Sequence, residues 1–479
     1  MRMLLVAPIK DSSGGMAQYP PMGLGYLATA LKKAGHEPVI LDCVLEGLDF
    51  NNFKEYISKH RFDVVGFNVF SLALKEVKKS LSIVKETVPD TITMVGGPHV
   101  SAVPEHALTF LPEADYGFKG EAEIGLPQLL TALEKKEFNK FSEIPGLIWR
   151  NGGKVCVNSQ TYINNLDELG FPDWELIKLD RYYRYGTSIT KDSAPVISTR
   201  GCPFRCNFCS AWISAGRKIR RRSIEHIMQE MDYLIDRYRI KTFILPDENF
   251  TFSKEFVVEF GEAIKKKGRR LNFVLPNGIR LDTLDEELLQ LMKDIGFDRN
   301  IAVGIESGSD RILKKIKKGL TLKLVKEKVA LMNKMGFYPT GYFILGLPGE
   351  TREDIEATIK LALELKLAGA GFSPFMPLPG TEAYDELVAT NKLPNDFDFS
   401  HLTTDEVTYA PDGMTREELD RIRRRAILRF NLRPRPLLRY MSNPGSFFFA
   451  LHKFKSLFLD NLSLFKTVRI KRWWGDYKI

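Results

Sequence analysis

Apolar positions along the chain fall into two alternating rhythms. Short, leucine-rich or β-branched runs of strand length recur at Arg2–Pro8, Val39–Leu41, Asp63–Phe67, Thr91–Val95 and Asp115–Phe118, and Gly120-Glu121 completes the series. Between them lie longer segments with apolar residues three and four apart, the spacing of one helix face. The first opens at Pro20-Pro21-Met22-Gly23-Leu24-Gly25-Tyr26 and runs through Ala34, where Gly35 is a natural C-terminal stop. Asn68 directly follows the third run, and the fourth ends in Gly96-Gly97-Pro98-His99. Strands alternating with helices in this way predict a parallel sheet covered on both faces, with ligands at the carboxyl ends of the strands.

An interruption follows. Gly146–Arg150, the turn Asn151-Gly152-Gly153 and Lys154–Val157 predict a β-hairpin. The aromatic, proline-containing stretch Leu166–Tyr185 is expected to strap two domains together, with Tyr182, Tyr183 and Tyr185 either packing or lining a substrate entrance. The alternation then resumes. Strands are predicted at Pro195–Thr199, Lys241–Leu245, Asn272–Leu275, Ile301–Ile305, Thr340–Leu345 and Gly371–Phe375, with amphipathic segments such as Ser223–Arg237, Lys254–Lys267, Leu284–Ile295 and Arg352–Leu367 between them. Such βα units predict a parallel, partly open barrel whose site lies at the strand C-termini. The expected division is residues 1–135, a linker at 136–190, a core at 191–410 and a C-terminal region at 411–479.

At 479 residues the chain exceeds one ordinary domain, and its 44% apolar and 27% charged residues are those of a folded soluble protein. Five cysteines, three of them in one loop, are too few for a disulfide framework and suit a reducing compartment. Cys43 and Cys156 stand alone and are expected to be small buried apolar residues. Met1–Ile9 carries no signal-peptide pattern and no apolar run reaches the length of a membrane span, so a cytoplasmic location is expected. The net charge of +9 is concentrated at one end. From Arg421 to Ile479 there are 15 Lys and Arg against 2 Asp and Glu, a net +13, which leaves −4 on the preceding residues. Basicity belongs to the tail.

The chemistry centres on Val196–Ile213, V-I-S-T-R-G-C-P-F-R-C-N-F-C-S-A-W-I. Cys202, Cys206 and Cys209 stand in C-x3-C-x2-C spacing just after a strand, so one tight loop can aim three thiolates at a common centre. Iron–sulfur cubanes are held by Cys thiolates, normally four per cluster. Three would leave one iron open to a substrate or cofactor. A structural zinc site needs four protein ligands, and the nearest later candidate, His226, falls within a helical pattern.

This loop, with Phe208 immediately before the last cysteine, resembles the signature of radical S-adenosylmethionine (SAM) enzymes. The resemblance implies a [4Fe-4S] cluster on Cys202, Cys206 and Cys209, with SAM chelating the open iron and Phe208 near its adenine. It extends to Pro246-Asp247-Glu248-Asn249-Phe250, where Asp247 and Glu248 match acidic groups directed at the SAM ammonium. Asp247 in a helix N-cap region is the competing reading. Within Gly304-Ile305-Glu306-Ser307-Gly308-Ser309, Glu306 matches a carboxylate that reaches the ribose, with Ser307 beside it. Gly346-Leu347-Pro348-Gly349-Glu350 resembles a turn on the adenine, so Gly346 and Pro348 join the SAM candidates.

The first third lacks G-x-G-x-x-G, which disfavours a dinucleotide site. Its P-P-M-G-L-G-Y-L-A, V-G-G-P-H and G-E-A-E motifs instead resemble the cobalamin-binding domain that precedes many radical SAM cores. Glycines at such turns let backbone come close to a flat ring. Met22, Gly23, Leu24, Asn68, Gly96, Gly97, His99, Gly120 and Glu121 are therefore the cobalamin candidates. The D-x-H-x-x-G pattern that supplies a His to cobalt in some cobalamin proteins does not occur, and neither His99 nor His36 is expected to ligate cobalt. Met376-Pro377-Leu378-Pro379-Gly380-Thr381 and Arg429-Phe430-Asn431-Leu432-Arg433-Pro434 are also similar to this family. The implied fold class is α/β: a doubly wound, Rossmann-like cobalamin-binding domain, a partial (β/α)6 radical SAM barrel and a basic helical tail.

The resemblance implies reductive cleavage of SAM to a 5′-deoxyadenosyl radical, hydrogen abstraction from an unactivated carbon, and methyl donation from methylcobalamin. It also implies a low-potential donor of flavodoxin or ferredoxin type. Radical cyclisation or C–C bond formation is the alternative, and a corrinoid or iron–sulfur sensor without turnover is the alternative of another class. In the tail, Phe448, Leu451, Phe454, Phe458, Leu462 and Phe465 share one helical face, accompanied by lysines and arginines. That pattern over 445–479 suits a helix at a membrane interface, a grip on a lipid-like or acidic substrate, or a stripe packed on the barrel. No nucleic-acid motif accompanies the charge.

Overall fold

The structure, a computed structural model of the chain, describes residues 1–9, 19–182, 190–394 and 397–433. The tail stretch 445–479, Tyr183 and Tyr185 lie outside the described residues.

The first sheet is built from β1 (Arg2–Ala7), β2 (Glu37–Asp42), β3 (Val64–Asn68), β4 (Ile92–Gly96) and β5 (Tyr116–Phe118), all parallel, in the order β2-β1-β3-β4-β5. β1 shows why it is covered on both faces. Met3, Leu4, Leu5 and Val6 are all buried, but Met3 and Leu5 pack with Leu24, Leu31 and Leu126 while Leu4 and Val6 pack with Phe53, Val77 and Leu81. An uninterrupted apolar run thus serves two cores at once, as expected of a central parallel strand. The order reverses between β1 and β3, the switch point at which such sheets bind ligands.

The hairpin forms as expected from β6 (Leu147–Asn151) and β7 (Lys154–Val157). It does not stand in a linker, however. β6 pairs antiparallel with β5 and extends the first sheet to seven strands, because Leu147 and Ile148 are buried under the same helices. Tyr182, one of the entrance candidates, is buried and donates its hydroxyl to Asp42 Oδ2 at 2.9 Å. It packs the strap onto the first domain.

The barrel strands are β8 (Ser193–Pro195), β9 (Thr199–Arg200), β10 (Arg220–Arg221), β11 (Thr242–Ile244), β12 (Asn272–Val274), β13 (Ala302–Glu306), β14 (Thr340–Leu345) and β15 (Gly369–Pro374). The strand expected at Pro195–Thr199 is divided. Ser198 gives its N–H to the Asp247 carboxylate at 2.9 Å rather than to a neighbouring strand. The chain then leaves the wall, and β9 forms an antiparallel ribbon with β10.

The wall itself is two parallel sheets, β8-β11-β12 and β13-β14-β15. Only two isolated bridges, Phe273 to Phe297 and Ile279 to Val303, join them among the described residues. At this seam Phe243, Phe250, Phe260, Phe273 and Phe297 pack edge to face, tilted or stacked, with ring centroids 5.2–6.1 Å apart. Helix Arg416–Asn431 is capped by Thr415 and packs Leu419, Ala426 and Phe430 into the barrel core beside β15. Among the described residues no helix is long and apolar enough to cross a membrane.

Candidate functional site

The ribbon β9–β10 pinches the base of the cysteine loop. Gly201, next to it, has φ +102°, and a Cβ there would lie 2.3 Å from the Lys218 carbonyl, so only glycine makes the turn. Three backbone bonds then fix the loop: Cys202 N–H to Gly216 O at 3.0 Å, Asn207 N–H to Ile316 O at 3.1 Å and Ala383 N–H to Asn207 O at 3.0 Å. Cys202, Cys206 and Cys209 are half-buried free thiols. Burial raises the Cys202 and Cys209 thiols above their ordinary range, and the neighbouring cysteines raise them further. Against this, the backbones of Phe204 and Ala211 hydrogen-bond to Cys202 and Cys209 and favour the thiolates.

Among the described residues no three His, Cys, Asp or Glu side chains converge tightly enough to hold one metal ion. Four thiolates on one zinc would stand only about 3.8 Å apart, given Zn–S bonds near 2.3 Å. A cubane puts each thiolate on its own iron, farther apart, with N–H donors at the sulfurs. Three thiolates in one loop, with N–H donors at Cys202 and Cys209, fit a cluster that takes its remaining ligand from elsewhere.

Around this loop the expected SAM candidates separate. Asp247 is 2% exposed, accepts the N–H and hydroxyl of Ser198, and is also bonded by Thr199. Burial pushes it up to about 6 even so. It braces the strand that launches the cysteine loop and does not open toward the loop's centre, which corrects the expectation for its side chain. Glu248 does open there. It feels the charge of Cys202 and Arg200, receives the Gly201 N–H, and is raised mainly by burial. Asn249, unremarked in the sequence beyond its place in P-D-E-N-F, is 3% exposed with both amide atoms unpartnered. Leaving such atoms unmade costs about 1–3 kcal/mol each. A polar ligand at this strand end would relieve that cost.

Glu306 sits at φ +69° on a bulge of β13 and pairs with Lys318 Nζ at 2.7 Å, both buried. Lys318 also reaches Cys209 electrostatically, and nothing in its K-K-G context marked it in advance. Ser307 is fully buried, its hydroxyl 3.3 Å from Thr358 Oγ1 on the outer helix Arg352–Glu364. Its side chain holds the wall, another correction. Phe208 packs on the cluster of Leu347, Phe375 and Tyr409, so the loop and the G-L-P-G-E turn meet. In that turn Pro348 is buried, and Gly346 and Leu347 donate their N–H groups to Glu350 Oε2 at 2.6 and 3.0 Å. Glu350 Oε1 has no partner, and burial pushes the group up to about 8.

A cavity of about 300 Å³ opens between the two domains. From the first domain it is lined by Gly23, Leu24, Asn68, Gly96, Gly97, Gly120 and Glu121, and from the barrel by Thr199, Arg200, Ala215, Pro246 and Glu248. Gly97 has φ +103°, and a Cβ there would lie 2.2 Å from Asn68 Oδ1. Two cobalamin candidates are not in the lining. Met22 is buried in the core under the first sheet. His99 is 1% exposed and turned into a cluster with Phe399, His106 and Ser71, 3.0 Å from the Ser71 hydroxyl. Burial drives it down to about 4. The bare backbone at the strand ends fits a wide flat ring, and the lining on both sides fits a group shared with the cluster loop.

Glu121 does more than line this cavity. Arg220 grips it with two bonds of 2.7 and 2.6 Å, and Arg200 lies 3.2 Å from Glu121 and 2.8 Å from Glu123. Burial alone would lower Arg200, but the two carboxylates outweigh it and hold its pKa above the ordinary value. The guanidinium also lies 4.9 Å from the Tyr26 ring centroid. The signal for this clamp was present: the second acid of G-E-A-E, and an arginine directly before Gly201-Cys202.

The model of the Radical SAM superfamily matches residues 196–362, and that of the B12 binding domain matches residues 16–130. Over 443 residues the chain is 32% identical to an uncharacterized methyltransferase of Pyrococcus horikoshii, covering 92% of this chain and 94% of that one. It is 28% identical to the anaerobic magnesium-protoporphyrin IX monomethyl ester cyclase of Rubrivivax gelatinosus, covering 88% of this chain and 76% of the relative. In fold it is like the radical SAM methyltransferase TsrM of Kitasatospora setae, solved with cobalamin and a [4Fe-4S] cluster bound. There the TM-score is 0.66 at 21% identity, over 81% of this chain and 75% of the other. A glycine-lined switch point facing a three-cysteine loop across one cavity, joined to these matches, places the chain among the radical SAM enzymes that carry a B12-binding domain and use a [4Fe-4S] cluster, S-adenosylmethionine and cobalamin.

Proposed function

We propose that this enzyme transfers a methyl group to an unactivated carbon of a small-molecule substrate. The observation that carries the reading is the shared cavity, which brings the glycine-lined strand ends of the first domain against Thr199, Arg200 and Glu248 beside the cysteine loop. When bound, the cofactors supply a carbon-centred radical and a transferable methyl group, chemistry that side chains lack.

The chain's own groups have distinct tasks in this reading. Cys202, Cys206 and Cys209 hold three irons and leave the fourth for SAM. Glu248 and the unpartnered Asn249 amide face the SAM amino-acid end, a charge-assisted role that Asp247 cannot take while it is bonded to Ser198. Glu306 with Lys318 orients the ribose, and Phe208 with Gly346, Leu347 and Pro348 holds the adenine. Gly23, Leu24, Asn68, Gly96, Gly97 and Gly120 cradle the corrin. The Arg200–Glu121–Glu123 clamp keeps the two halves in register. An external electron donor of flavodoxin or ferredoxin type completes the system.

A second reading keeps both cofactors but ends in ring closure, and the likeness to a cyclase over 88% of this chain favours keeping it. Anaerobic reconstitution with cobalamin, reductant and methyl-labelled SAM separates the two. Methyl transfer predicts bound corrin, 5′-deoxyadenosine and label on cobalt. Bound corrin and deoxyadenosine without label would move the assignment to cyclisation. Absence of bound corrin would overturn the reading of the first domain.

A further inference from the structure

Along one half of the barrel the inward face carries mostly small side chains. Alternation along a strand sends every second residue to the same face. Val303 and Ile305 of β13, Phe343 and Leu345 of β14, and Phe372 of β15 are buried in the core on the helix side. The opposite, inward face therefore carries Ala302 and Gly304, then Thr340, Tyr342 and Ile344, then Gly369, Gly371 and Ser373. Strand register sets Gly304, Tyr342 and Gly371 side by side in one row, with Ala302, Thr340 and Gly369 in the next. Interiors of closed βα barrels are filled by bulky branched residues. Here one aromatic ring stands between glycines.

Tyr342 is 47% exposed although it lies in the middle of its strand. Its ring leans over Gly371, where a Cβ would come within 2.9 Å of Cδ1 and 3.2 Å of Cε1. On its other side, the space over Gly304 is taken by the Glu306–Lys318 pair, with Glu306 Oε1 2.6 Å from where a Cβ would stand. The ring is thus seated beside the group read above as the ribose anchor. A second tyrosine comes from the first domain: Tyr19 is 42% exposed and its phenol is raised by burial and by that of Tyr342.

We propose that this floor binds the substrate, and that the substrate is a flat aromatic or conjugated ring system laid on Tyr342. The ring, half exposed and seated over a glycine, offers aromatic surface to a ligand, and a π-face is what a tyrosine ring recognises beyond its area. The inference rests on the proposed function only in placing substrate at the barrel, and adds its chemical class.

The test uses the full-length enzyme reconstituted with cluster, cobalamin and SAM, and two probes with four fused rings each: planar pyrene-1-butyrate and saturated, puckered cholate. Binding is followed by fluorescence anisotropy and by competition. The wild type is expected to bind pyrenebutyrate and to prefer it to cholate. Tyr342→Ala weakens it about tenfold, the scale of a lost ring contact plus its area, while Tyr342→Phe keeps it within about twofold. Gly371→Val, which drives the ring off its seat, also weakens it. No binding to the wild type, equal binding by Tyr342→Ala, or cholate binding as tightly as pyrenebutyrate would overturn the inference. Corrin content and 5′-deoxyadenosine yield in the same samples report on the cofactor reading separately. Their loss with ring binding intact would count against that reading alone.

Discussion

Replacing Arg200 by methionine removes the one cation that reaches Glu123 among the ion pairs of the described residues. The side chains of Arg200 and Glu123 are 11% and 7% exposed and lie 2.8 Å apart, so solvent screens the pair little. Glu121 keeps its two bonds from Arg220, whereas Glu123 is left as a buried carboxylate without its partner. Breaking a buried pair by removing one member costs about 3–5 kcal/mol, far more than the pair's net worth, because the survivor is uncompensated. The lost contact with Tyr26 adds about 0.5–2 kcal/mol. At about 2 °C per kcal/mol for a large domain, the Arg200→Met apoprotein should melt at least about 6 °C below wild type. Neutralising the survivor should restore part of this: Arg200→Met with Glu123→Gln should melt above Arg200→Met alone. In a double-mutant cycle run by circular dichroism in urea, the coupling should exceed about 1 kcal/mol. Coupling below about 0.5 kcal/mol, or an Arg200→Met melt indistinguishable from wild type, would refute the claim that this clamp holds the domains together.

Three further outcomes are expected. Gly97→Val places a side chain into Asn68 and the cavity, and should abolish corrin retention on gel filtration while leaving the iron and sulfide content unchanged. His99→Phe should keep full corrin content, since the ring faces Phe399 and His106 rather than the cavity; a colourless variant would show that His99 contacts the cofactor after all. Glu350, pushed up to about 8, is protonated in the folded chain over a range where the unfolded chain is ionised. The native state then binds more protons than the unfolded one, so this stabilisation is complete below about pH 4.3 and lost as pH rises through about 8. Melts of wild type between pH 5.5 and 8.5 should fall more steeply than those of Glu350→Gln; parallel lines would show that the carboxyl is ionised throughout.

The parts of the site legible in the sequence are those where chemistry and local geometry are one thing. Cys202, Cys206 and Cys209 need only their spacing and a strand before them, and the glycines at 97 and 120 mark places where a Cβ would intrude. Side-chain direction was not legible. Asp247 and Glu248 are neighbours in an acidic pair, yet only tertiary contact decides that the first turns back to Ser198 and the second faces the cavity. Ser307 and His99 misled for the same reason: each lies in the right motif but is turned away, Ser307 onto Thr358, and His99 with its Nδ1 on Ser71 and its ring among Phe399 and His106. The hairpin was recognised by its Gly152-Gly153 turn, but its partner strand β5 lies beyond an intervening helix and is a matter of long-range pairing. Lys318 and Tyr342 belong to no motif and Asn249 stands in P-D-E-N-F without an assigned role; their meaning comes from the strands beside them.

The seam between β12 and β13 gives the barrel wall a particular response to temperature. Elsewhere the wall is a ladder of backbone hydrogen bonds, but here two bridges and a cluster of phenylalanines carry the joint. Apolar cohesion is largely entropic near room temperature and weakens on cooling, whereas hydrogen-bonded ladders do not share that dependence. Chilling should therefore loosen this joint before the strands on either side of it. Amide exchange around Phe273, Ile279 and Phe297 would then rise relative to the ladders as the sample is cooled, and the two half-barrels would part along a line drawn by aromatic rings.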